Sequence, residues 1–126
     1  MVDDITVCGS RGWFIEEKLQ ADIFEAEYGK IVSRECERLS RSIAEGEKLK
    51  DGKDSETVVF LHFPPVFGDF VCRPIIDVLK ENNIRHVYYG HIHGNYLVPS
   101  SFEFEGINLS LVSADFVDFI PQRVFV

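Results

Sequence analysis

The chain has 126 residues, 45% of them hydrophobic and 27% charged, the balance of one folded domain and not of a disordered segment. Thirteen Lys and Arg against twenty-one Asp and Glu leave a formal net charge of −8. That field repels a polyanionic duplex, so nucleic-acid binding is not expected. No apolar run approaches the roughly 20 residues of a membrane helix, and Met1-Val2-Asp3-Asp4 carries no signal-type basic region. The expectation is a cytoplasmic protein without membrane contact. Cys8, Cys36 and Cys72 are odd in number and far apart, which fits neither a disulfide framework nor a zinc finger. They read as buried thiols.

Ile5 to Cys8 is a short apolar strand, and Gly9-Ser10-Arg11-Gly12-Trp13 is a turn punctuated by two glycines. A strand that starts so early has no partner upstream, which points to sequence missing before it or to pairing with another chain. From Glu16 to about Leu49 the apolar residues, among them Tyr28, Ile31, Val32, Leu39 and Ile43, recur at helical spacing. Glu16, Glu17, Glu25, Glu35 and Arg38 fall on the opposite arc. A break is expected near Tyr28-Gly29, because glycine costs about 1 kcal/mol in mid-helix. Gly46 begins the exit into a polar loop over Lys50 to Asp54. The basic-rich stretch Arg34 to Lys53 is interleaved with glutamates and reads as a solvated helix face.

Thr57 to Leu61 is a continuous apolar run, the signature of a strand buried on both faces. His62 stands at its end, and Phe63-Pro64-Pro65 stops it. A helix follows from about Asp69 or Pro74 to Glu81, with Asp69 as its N-cap and Asn82-Asn83 at its C-terminus. Ile84 to Tyr89 is the next strand. Strand, helix and strand with short connections make a βαβ unit, whose two strands are parallel. The tail is β-rich: Phe102 to Asn108 reads as a hairpin, Ile107 to Ser113 alternates, and Gln122 to Val126 forms a last strand.

The segment Gly90-His91-Ile92-His93-Gly94 leaves the strand ending at Tyr89. Neutral imidazole is the commonest metal ligand, and residues i and i+2 on an extended segment point the same way. His91 and His93 can therefore face one cavity, sharing one ion or serving two. Ligands of parallel sheets collect at the carboxyl ends of the strands, and His62 occupies a neighbouring end. Three imidazoles are thus expected on one rim of the sheet. His86, inside a strand, reads as structural, and Asp115 as a turn residue. Arg11 is a candidate to hold a substrate oxygen with its planar fork; the plainer reading pairs it with a surface carboxylate.

Leu61-His62-Phe63-Pro64-Pro65 followed by Gly90-His91-Ile92-His93 resembles the later motifs of the calcineurin-like metallophosphoesterases. Gly9-Ser10-Arg11-Gly12-Trp13 before a long helix, and Ser113-Ala114-Asp115-Phe116 through Pro121, are similar to segments of its small bacterial members. The resemblance spans nearly the whole chain. It implies an α/β fold: residues 1–126 as one partial domain, the C-terminal half of a β-sandwich flanked by helices. It also implies His62 and His91 on one divalent ion and His93 on the other (Mn, Fe, Zn or Ni), with a small phosphorylated substrate. The family's earlier motifs, Asp-x-His, Gly-Asp and Gly-Asn-His, find no match ahead of His62, and with them the bridging carboxylates are missing.

Three functions follow as expectations. The first is a metal-dependent phosphoesterase half, inactive without its N-terminal counterpart. The second is a non-catalytic domain that covers an exposed apolar sheet by self-association, hence an oligomer. The third is a mononuclear His₃ zinc hydrolase, since three imidazoles and one open position suffice for a zinc-bound water.

Overall fold

A computed structural model describes residues 5–12, 25–52, 54–68, 70–90 and 101–112. Its elements are β1 (Ile5–Ser10), α1 (Glu25–Leu49), β2 (Glu56–Leu61), β3 (Val66–Phe67), β4 (Phe70–Val71), α2 (Arg73–Glu81), β5 (His86–Tyr89), β6 (Ser101–Phe104) and β7 (Ile107–Leu111). Five strands form one sheet in the order β1-β2-β5-β7-β6, and β3 pairs with β4 in a separate ribbon. β1, β2, β5 and β7 run parallel, and β6 closes the edge antiparallel to β7. The chain is a mixed α/β protein with a mostly parallel sheet.

The strand from Thr57 to Leu61 and its parallel partner after the helix are found where the pattern expects them, as β2 and β5. β1 departs from expectation: its partner is β2 of the same chain, reached through α1. The hairpin is also found. Its two-residue turn has φ 47° at Glu105 and 86° at Gly106, the positive pair that a type I′ turn requires. Glu105 reaches from this turn to Lys80 and Arg73 on α2. The hydrogen bond from Lys80, with the charge of Arg73 beside it, holds the Glu105 carboxyl below the usual range.

Both helices pack on one face of the sheet. Leu39 and Ile43 of α1 and Ile75 of α2 share a buried cluster with Val59, Val87 and Leu109. On the opposite face Val58 is fully buried, Phe60 stacks on Tyr88 with ring centroids 5.1 Å apart, and Val7 on the edge strand is 51% exposed.

Four local expectations are corrected. α1 runs unbroken through Gly29, because tertiary packing along its length outweighs the propensity of one residue. Gly46 lies inside the helix and is buried against β1. α2 begins at Arg73 with Cys72, not Asp69, at its N-cap position; Pro74 in the first turn tolerates the start. Between β2 and α2 the chain forms the β3–β4 ribbon, which the two prolines masked as loop. The expected left-handed residue at the end of α2 is Asn83, with φ 57°. The strand expected over Gln122 to Val126 lies outside the described residues.

The two helical glycines make opposite predictions. A Cβ at Gly46 would meet Cys8 Sγ at 2.4 Å and Thr6 Cγ2 at 3.0 Å, whereas at Gly29 it meets nothing within 4 Å. Gly46→Ala is expected to destabilise the chain by about 1–3 kcal/mol through overpacking. Gly29→Ala should stabilise it by about 0.5–1 kcal/mol through helix propensity alone. Urea denaturation midpoints of the two variants check both signs.

Candidate functional site

The four parallel strands end level. Ser10 is paired with Leu61, Leu61 with Tyr89, and Tyr89 with Leu111. The next residues, Arg11, His62, Gly90 and Val112, therefore leave one rim in strand order, neighbouring strands being about 4.8 Å apart. Backbone bonds tie the departures together. The N–H of Phe63 donates to the Arg11 carbonyl at 2.9 Å, and that of Val112 to the Tyr89 carbonyl at 2.8 Å. The Gly90 N–H lies 3.3 Å from the Leu61 carbonyl and 3.2 Å from that of His62.

His62 is exposed on this rim, its ring edge-on to Phe63 with centroids 4.7 Å apart. The backbones of His62 and Gly90 are thus neighbours, as expected of adjacent parallel strands. His91 and His93, like Asp69 and Asp115, lie outside the described residues. His86 is half-buried within β5. Among the described residues no three metal-ligating side chains come together. No helix among them is long and apolar enough to cross a membrane. Cys8 and Cys72 are buried, and desolvation pushes the half-buried Cys36 thiol up to about 11.

Arg11 leads to a residue that the sequence reading misplaced. Its guanidinium lies 6.0 Å from the centroid of the Phe63 ring, and its Nη2 is 3.7 Å from Oε1 of Glu35. Glu35 is no surface carboxylate: its side chain is 1% exposed. Arg38, one turn further along α1, donates from Nη1 to the same Oε1 at 2.6 Å. Oε2 is buried and has no hydrogen-bond partner among the described residues. The expectation put Glu35 on the polar arc by residue type, but its position says otherwise. It stands three residues after Val32 and four before Leu39, both buried, and i, i+3, i+7 is one face of a helix. A glutamate in register with an apolar stripe was the available signal.

A buried carboxylate costs several kcal/mol in desolvation unless it is well paired. Here one charge-assisted bond and one longer ion pair offset that cost. Two guanidiniums thus meet one buried carboxylate on a chain whose net charge is −8.

The fold and the rim define a class: an α/β domain with a level row of strand ends carrying an imidazole and a guanidinium, the position where such sheets bind ligands. Set against known proteins, the chain matches no family model, no curated protein and no solved structure.

Proposed function

We propose that the chain is the C-terminal half of a metal-dependent phosphoesterase, inactive alone because the carboxylate-bearing motifs are missing. The observation that carries this reading is the alignment of β2 and β5. Leu61 and Tyr89 are register partners, so His62 and Gly90, which His91 and His93 follow in the sequence, leave adjacent points of one rim. His62, with His91 and His93 as candidates, would hold divalent ions there, and such ions would polarise a phosphoryl group and activate a water. This chain contributes the imidazole of His62, the candidates His91 and His93, and the guanidinium of Arg11 on the substrate side.

Zinc or manganese titration of the purified chain tests the reading. Weak binding that is lost in His91→Ala and reduced in His62→Ala is expected, together with no turnover of p-nitrophenyl phosphate. Metal binding that survives substitution of all three histidines would sink the proposal. Clear turnover abolished by His91→Ala would keep the chemistry but refute the incompleteness of the site. A stoichiometry of one tight zinc ion would favour a mononuclear zinc hydrolase.

A second reading, a non-catalytic domain that self-associates, is supported by the edge strand β1. Val7 is 51% exposed there, and β1 has β2 as its one strand partner among the described residues. Exposed edges favour pairing between chains. Light scattering separates the readings: a monodisperse monomer argues against self-association.

A further inference from the structure

We infer that the groove between α1 and α2 receives an amphipathic helix of a partner protein, one whose apolar stripe is flanked by lysines or arginines. The inference stands apart from the phosphoesterase reading, since the groove is lined by the two helices and not by the strand ends.

The groove holds about 450 Å³. Val32 and Cys36 of α1 and Val78 of α2 give it an apolar floor, and all three are buried or half-buried. Its walls run from Gly29 to Cys36 and from Pro74 to Glu81, each about 10 Å long at the helical rise, or two turns. That is the length over which a docked helix sets anchors at i, i+4 and i+7. Both walls are helices, so neither offers the free strand edge that an extended peptide uses.

Two observations point to the occupant. The first is charge. Asp77 and Glu81, one turn apart on α2, line the groove and are exposed. Neither makes an ion pair among the described residues, whereas the two cations of the same helix, Arg73 and Lys80, are both engaged by Glu105. The α2 wall therefore carries two uncompensated negative charges, which cations at i, i+4 spacing on a partner helix would meet. A second copy of this chain fits less well, because two bodies of net charge −8 repel each other.

The second observation is Gly29. Glycine inside a helix lowers stability, and nothing in the fold asks for one here. α1 runs unbroken through it, and a Cβ would meet nothing within 4 Å. The missing side chain leaves bare backbone on the groove wall, where a partner's backbone can approach closely. Ser33, one turn further on, keeps that wall low.

The test uses the whole chain and a designed probe. The probe is a fluorescent peptide of about 15 residues, long enough for a helix to form, with leucines at i, i+4 and i+7 flanked by lysines. The same peptide with glutamates in place of lysines, and a scrambled peptide, are the controls. Fluorescence anisotropy should show saturable binding of the lysine peptide, weaker in higher salt, with a gain of helical circular dichroism, and no binding of either control. Asp77→Asn combined with Glu81→Gln should weaken binding about tenfold, the scale of two exposed ion pairs. Asp51→Asn combined with Asp54→Asn, at exposed acids outside the groove, should leave it unchanged. Gly29→Ala separates binding from folding: it should weaken binding several-fold although it stabilises the chain. Bound peptide should also protect Cys36 from alkylation, Cys8 and Cys72 being buried. No saturable binding, equal binding of the glutamate peptide, or equal losses in the two double variants would overturn the proposal. Binding without a gain of helix, or fully competed by butylamine, would give the groove to an extended or small cationic ligand and overturn the helix. Binding untouched by Gly29→Ala would overturn the role of that glycine.

Discussion

Glu35→Met should leave the chain more stable by about 1–3 kcal/mol, while Arg38→Ala should leave it less stable by about 1.5–3 kcal/mol. The asymmetry comes from which partner is buried. The arginines are more than half exposed, so without Glu35 they return to water at little cost. Methionine, of similar length, fills the place between Val32 and Leu39 and removes both the desolvation cost and the unpartnered Oε2. Without Arg38 the carboxylate stays in the core and retains Arg11 at 3.7 Å, longer than a hydrogen bond. Urea denaturation of the two variants gives both signs. If Glu35→Met is the more damaging of the two, Glu35 is a structural keystone and its place in the stripe needs another explanation.

The other large effect is expected at Gly9. This residue faces Phe60 across the β1–β2 ladder, and an ideal Cβ there would stand 2.6 Å from the Phe60 carbonyl oxygen. The obstacle is backbone, which cannot rotate away, so Gly9→Ala must move β1 off β2. The same glycine donates its N–H to Ser42 Oγ at 2.9 Å and so ties β1 to α1. A loss of about 2–4 kcal/mol is expected, in the range of severe overpacking. Thermal melts check it. Unchanged stability would mean that β1 pairs more loosely than its register implies.

Much of the scaffold was legible in the amino-acid order. The apolar run from Thr57 to Leu61, the amphipathic spacing through Leu39 and Ile43, and the hairpin around Gly106 are local signals, each set by a few neighbouring residues. They appear as β2, α1 and the β6–β7 turn. The position of His62 at a strand end followed from the prolines behind it. What was not legible lies between segments distant in sequence. That β1 pairs with β2, that a Cβ has no room at Gly9 or Gly46, and that the four parallel strands end level are facts of register. Register emerges only when separate elements share one sheet.

Glu35 marks the boundary most clearly. Its spacing from Val32 and Leu39 was written in the chain, and its charge argued against reading that spacing as burial. Only the packed structure decided the conflict, by bringing Arg11 from the end of β1 and Arg38 from the next turn of α1 to a carboxylate inside the core. Sequence by itself determined the α/β scaffold and set an imidazole and a guanidinium on turns after strands. Tertiary structure decided which side chains those turns meet, because the desolvation of a charge depends on everything packed around it and not on its neighbours along the chain.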